Sequence, residues 1–268
     1  MGQSLVGPVA ERLSATVHGD GGAWLVLSHG FGTSQAVWEP VIQRFGACRR
    51  ILTYDLAYIG QGERHAPLYR GLAAYADDLV ELLVEQGVRE ATVLGHSASG
   101  MIGLLAAVAE PGLFSGLVLL NASPRYLDDL DYVGGTTLAE LEETYAAIRA
   151  NYRAWVQAFA PAVTSASSGT GLSDFVQGLL ALRPDAALAV LRTIYEADVR
   201  ALLPHVSCKV DILQSREDPA VPVEVGAYMA ARIPSSRLVR LDAKGHLPHL
   251  TTPELVLPAI HDALQRTV

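Results

Sequence analysis

The stretch that decides the reading of this chain runs Ala91-Thr92-Val93-Leu94-Gly95-His96-Ser97-Ala98-Ser99-Gly100-Met101-Ile102-Gly103-Leu104-Leu105. Residues 91–94 have strand length and residues 101–109 form an apolar helical run, so the small residues between them must turn the chain sharply from one into the other. A serine at the apex of such a turn projects above the sheet, and its neighbours must be small because adjacent backbone passes close by. Gly95 and Ala98 meet that need, while Ser99 stands where glycine is usual, a small-for-small exchange that weakens the bare motif but keeps its steric purpose. Taken alone, the stretch reads as readily as a structural turn. Two phosphate-binding readings fail on spelling: a P-loop needs Lys after Gly100 and finds Met101, and a dinucleotide fingerprint from Gly30 and Gly32 needs a glycine where Gln35 stands.

Working outward, short apolar runs recur at residues 23–28, 50–54, 116–120, 210–213 and 237–241, with helical patterns between several of them. Over residues 72–86, Leu72, Tyr75, Leu79, Leu82 and Leu83 share one helical face, with Asp77, Asp78, Glu81 and Glu85 largely elsewhere. Strands alternating with helices predict an α/β fold, a mostly parallel sheet covered on both faces. The alternation lapses between about 123 and 204, where helical patterns over 137–159, around 175–182 and around 185–197 flank a Ser/Gly-rich stretch at 164–173. This predicts a core of residues 1–122 and 205–268, with residues 123–204 inserted as a helical cap over the strand ends.

Composition narrows the function classes. The 268 residues carry 20 Lys+Arg against 28 Asp+Glu, net −8, which disfavours nucleic acid because a polyanion needs clustered cations. Mean hydropathy is +0.25, yet the most apolar stretch, residues 100–109, is far short of the ~20 residues that span a bilayer, so no membrane association is expected. Cys48 and Cys208 match no disulfide or zinc spacing, and the start, Met1-Gly2-Gln3-Ser4-Leu5-Val6, has neither a signal-peptide nor a myristoylation pattern. A cytoplasmic protein without metal or cofactor is the expectation.

A serine nucleophile needs a base, and imidazole, with an ordinary pKa of about 6.5, is the usual one. His246, in Lys244-Gly245-His246-Leu247-Pro248-His249, follows the last expected strand and precedes the last helix, so it lies in a strand-end loop. His249 competes for the role and otherwise falls at the pocket rim or surface. A metal pair of the two is disfavoured because no HExxH pattern exists and Pro248 prevents a regular helix from presenting both rings. Asp218, in Gln214-Ser215-Arg216-Glu217-Asp218-Pro219, is placed to hold the imidazole, with Glu217 the alternative. The order Ser97, Asp218, His246 is that of an α/β-hydrolase triad. The N–H groups of Phe31, in His29-Gly30-Phe31-Gly32, and of Ala98 are the expected oxyanion donors, and His29 is expected to be structural. A serine at the elbow argues against dehalogenase and epoxide hydrolase chemistry, which uses a carboxylate there.

Further motifs carry a resemblance. His29-Gly30-Phe31-Gly32-Thr33, Ser123-Pro124-Arg125-Tyr126, Asp131-Tyr132-Val133-Gly134-Gly135, Asn151-Tyr152-Arg153-Ala154-Trp155, Arg183-Pro184-Asp185 and Gly245-His246-Leu247-Pro248-His249 are among them. On these, nearly the whole chain resembles the α/β-hydrolase subgroup that holds the bacterial stress-signalling hydrolase RsbQ and the plant strigolactone and karrikin receptors. Ser99 is usual for that subgroup. The resemblance implies a V-shaped four-helix cap over an apolar pocket, and slow hydrolysis of a small ester or lactone by the triad. It implies as the alternative a receptor that recruits a signalling protein. By position, Phe31, His96, Tyr126, Trp155, Phe159, Phe175, Tyr195 and Leu247 would line the pocket. Thr136 stands where the plant receptors commonly carry Phe, and the missing ring would enlarge or rewet the pocket. The loop from Asp55 to Gly62 is longer than in many relatives.

Overall fold

In a computed structural model, the structure describes residues 2–58 and 69–267; residues 59–62 of the loop singled out above lie outside them. Eight strands form one sheet in the order β1-β2-β4-β3-β5-β6-β7-β8. They are β1 (Gln3–Ser4), β2 (Thr16–His18), β3 (Trp24–Ser28), β4 (Arg50–Tyr54), β5 (Ala91–His96), β6 (Phe114–Leu120), β7 (Lys209–Glu217) and β8 (Ser236–Lys244). From β4 to β8 every pairing is parallel, so the strand ends that follow β3, β5, β7 and β8 all open on one edge. The antiparallel β1 and β2 were not expected: they are two and three residues long and half-exposed or exposed, too short to show a period.

Helices cover both faces, as the nearly all-buried strands β3, β5 and β6 require. One face packs against α1 (Pro8–Arg12), α3 (Leu72–Glu85), α4 (Ala98–Ala109) and α9 (Val223–Ala230), and the other against α2 (Glu39–Phe45) and α11 (Pro253–Arg266). Truncating a fully buried side chain such as Leu94 to Ala would cost about 2–5 kcal/mol.

Between β6 and β7 come α5 (Leu138–Ala150), α6 (Tyr152–Thr164), α7 (Thr170–Ala181) and α8 (Pro184–Tyr195), with no strand among them; the short α10 (Pro248–Thr251) follows β8. The single helical pattern read over 137–159 is two helices. Asn151 breaks it at φ −160°, and its Oδ1 accepts from Ala154 N–H at 3.0 Å, starting α6 as α5 ends. Thr137 and Glu140 form a reciprocal cap on α5. These helices build an apolar cluster of their own around Tyr145, Trp155, Phe175 and Leu179, which also takes in Leu247 and Phe31 from the strand-end loops. No described helix is long and apolar enough to cross a membrane.

Candidate active site

Ser97 sits at φ 58° and ψ −131°, the strained apex between β5 and α4. The strain persists because the small neighbours are obligatory. A Cβ on Gly95 would lie 2.4 Å from the Ser99 carbonyl oxygen, and one on Gly100 would lie 2.5 Å from Ala122 Cβ. Ser99 has a use that glycine could not supply: its hydroxyl donates to the His29 carbonyl and ties the elbow to the loop after β3.

Three strand-end side chains meet above this apex. His246 Nε2 lies 2.9 Å from Ser97 Oγ, and His246 Nδ1 lies 2.9 Å from Asp218 Oδ2 and 3.1 Å from Oδ1. Asp218 has no exposed side-chain surface, and its Oδ1 also accepts from the N–H groups of Ala220 and Val221 at 2.8 and 3.2 Å. The proton on Nδ1 therefore faces the carboxylate, which leaves Nε2 to accept from the Ser97 hydroxyl. Since Ser97 has one proton to give, the Tyr126 hydroxyl, 3.0 Å from Oγ, must donate to it. Burial raises the pKa of Tyr126 further above the usual phenol range, so it keeps that proton.

His246 is held by its backbone as well. His246 N–H donates to the Val163 carbonyl at 2.8 Å, in the last turn of α6, and Gly245, at φ +82°, is needed there because a Cβ would lie 2.2 Å from the Thr164 carbonyl oxygen. The His246 carbonyl accepts from His96 Nε2–H at 2.8 Å. His249 is not at the rim or surface. It is buried beside His96 and stacked on Trp38 with centroids 4.7 Å apart, because Pro248 starts α10 and turns the ring inward. Desolvation lowers its pKa to about 3 and holds His96 well below its ordinary value, so both rings are neutral. Glu217 is exposed and paired with Lys244 at 2.9 Å, away from His246. His29 is buried, its Nδ1–H donating to Gly30 O and its Nε2 accepting from Leu56 N–H.

A small cavity of about 40 Å³ opens over Ser97. Of the residues placed at the pocket by sequence, Phe31, His96, Tyr126, Phe159, Phe175, Tyr195 and Leu247 line it. Trp155 does not: it lies one layer back, stacked on Phe159 at 4.6 Å. Thr136 does not either, and reaches the wall only through a polar contact with Tyr195, because a bridge to Leu127 holds its backbone away. Val163, Leu191, Ile194 and Ala220 line the cavity unforeseen. Helical spacing could have found Val163, four residues from Phe159, and Leu191, four from Tyr195, whereas Ala220, in the loop after β7, carries no such signal. Ala98 begins α4, so its N–H has no carbonyl one turn behind it and is free to meet an anion. Among the described residues no cluster of His, Cys, Asp and Glu could hold a metal.

The sheet order, the elbow and the hydrogen-bonded serine, histidine and aspartate are the features of one large group of enzymes. The chain belongs to the alpha/beta hydrolase family, whose sequence pattern matches residues 25–259. It is 38% identical to a karrikin insensitive 2 receptor of Petunia hybrida, over 95% of this chain and 96% of the receptor. It is also 38% identical to a strigolactone esterase of Pisum sativum, over 97% and 99% of the two chains. Among solved structures, a hydrolase from Oleispira antarctica superposes with a TM-score of 0.91 at 29% identity, covering 96% of each chain.

Proposed function

We propose that this chain is a serine hydrolase that cleaves a small, mostly apolar ester or lactone, with residues 123–204 acting as a cap over the site. The unbroken line of hydrogen bonds from Asp218 through His246 to Ser97, at the floor of an apolar cavity, carries this reading. Ser97 Oγ attacks the carbonyl as its proton passes to His246 Nε2. Asp218, which accepts from His246 Nδ1–H, stabilises the imidazolium. The oxyanion is met by the N–H groups of Phe31 and Ala98. The leaving alkoxide or enolate takes the proton from His246, which then draws a proton from water as that water attacks the acyl carbonyl, and returns it to Ser97 Oγ as the acyl bond breaks and the acid leaves.

A slow, receptor-like use of the same chemistry has its own support. The donating Tyr126 hydroxyl lowers the basicity of Ser97 Oγ, and the cavity is small for a lactone, since ligand sites usually run to about 300–1,000 Å³. In that mode the cap would have to rearrange around a ligand, and a signalling protein could read the change.

Intact-protein mass spectrometry over a panel of esters and lactones, with turnover followed in parallel, tests both. Fast turnover without a lasting adduct marks an enzyme. A long-lived adduct with ligand-dependent melting and partner capture marks a receptor. Ser97→Ala should abolish both adduct and turnover, a loss on the order of 10⁵–10⁶ in kcat, while the protein stays folded. Unchanged turnover in that variant would end the reading.

A further inference from the structure

β6 lies between β5, which ends at the Ser97 elbow, and β7, which leads to Asp218, yet it supplies none of the three reacting side chains. The first residue beyond it is Asn121. This side chain is 1% exposed, and its backbone stands at φ +46°, a left-handed conformation that costs a non-glycine residue about 1–2 kcal/mol. Strain of that kind survives where the surroundings over-determine it. Here they do so from three sides. The backbone N–H of Asn121 donates to Leu213 O of β7 at 2.9 Å. Its Oδ1 accepts from Ser215 N–H at 2.8 Å, next to the irregularity in the β7–β8 pairing. Its two Nδ2 hydrogens are shared among three acceptors, Ser215 Oγ at 3.0 Å, His246 O at 3.0 Å and Gly245 O at 3.3 Å.

If Ser97, His246 and Asp218 act as proposed above, on which this inference rests, the base must be held to within tenths of an ångström while it turns between two partners. The loop that carries it includes Gly245, whose backbone would otherwise be the loosest in the site. We propose that Asn121 is a positioning residue for His246. Its amide stands in for a peptide unit past the end of β6, so that strand ends and base loop form one piece. The His246 carbonyl has two lone pairs, and Asn121 and His96 use both. The left-handed backbone is kept because it sends the side chain sideways across β7 and into the base loop, instead of up into the cavity.

Two substitutions separate this role from a general one. Asn121→Gly suits the left-handed backbone and removes the amide. Asn121→Asp keeps the acceptor for Ser215 N–H but loses the amide N–H groups that reach the base loop. With p-nitrophenyl acetate as the probe, each should lower kcat about 10- to 100-fold, the scale of a small misplacement, with KM changed by less than about threefold. Combined with His246→Ala, each should add less than about a further twofold to the loss that His246→Ala gives alone, because the groups act as a unit. The same fold loss with and without His246 would overturn the proposal. Full activity in His246→Ala alone would instead overturn the triad reading, and this inference with it. A second readout needs no turnover: the low-field proton resonance of Nδ1–H between His246 and Asp218 should move or broaden in both variants. An unmoved, sharp resonance would also overturn the proposal. Asn121→Asp decides if Asn121→Gly does not fold.

Discussion

Below the cavity, Ser97, His246, Asp218 and Asn121 are joined by hydrogen bonds of 2.9 to 3.3 Å that run from one strand end to the next. Above it, Tyr152, Trp155, Phe159 and Phe175 form a row of rings with centroids 4.6 to 6.3 Å apart and little polar bonding. Hydrogen bonds fail steeply with angle and distance, whereas stacked rings slide at little cost. If the proposed chemistry holds, substitutions in the lower region should act on rate and those in the upper region on which molecule is admitted.

The largest test of that contrast is below. Asp218→Asn should lower kcat about 10⁴-fold by holding the wrong tautomer of His246, whereas Glu217→Gln, at the surface beside Lys244, should leave it unchanged. Near-normal rates for Asp218→Asn would move the acid elsewhere.

Above, the effect should be on selectivity. Dissociation constants measured on a Ser97→Ala background should show Phe159→Ala favouring a bulky lactone over a small one by roughly 10–200-fold, the range open to apolar contacts. Thr136→Phe should do the reverse, more weakly, since position 136 acts through Tyr195. A common factor on every ligand would mean that these positions only pack.

The pH profile sharpens the contrast within the lower region. Imidazole accepts a proton only when neutral, so each ring that takes part in proton transfer adds a rising limb to kcat/KM against pH near neutrality. His96 and His249 are already neutral there and should add no second limb. A second rising limb that His249→Phe removes would show that ring taking part.

The smallest effect is on stability. The folded protein holds His249 near pKa 3 against about 6.5 when unfolded, so below pH 6.5 the unfolded chain takes up a proton that the folded one refuses. Stability should thus be intact above pH 6.5 and fall by about 1.4 kcal/mol per pH unit below it from this group alone. His249→Phe should flatten part of that slope in urea unfolding. Among the described residues neither His249 nitrogen has a hydrogen-bond partner, so the apolar ring should cost little at neutral pH.

The parallel sheet was legible because β3, β5 and β6 are short, mostly apolar runs with turns between them, and the sheet then brings Ser97, Asp218 and His246 onto one edge. Other features left no trace in the pattern. β1 and β2 are too short to carry a period. The break at Asn151 rests on one capping amide inside an otherwise helical stretch. The retreat of Trp155 and Thr136 from the cavity depends on which side of a helix or bridge faces inward, a rotation that spacing alone leaves open. Asn121 lay hidden because an amide after a strand reads as an ordinary turn residue until its four partners, distant in sequence, are in place.

The bond from His246 N–H to the Val163 carbonyl has a mechanical meaning. Helix α6 ends in carbonyls with no partner one turn ahead, and one of these is satisfied by the backbone of the base itself. Lifting the end of α6 would strand a buried donor and acceptor at a cost of about 1–3 kcal/mol, or drag His246 along with it. The end of α6 and the loop that carries His246 are therefore tied into one piece, and work done on either is felt by the other.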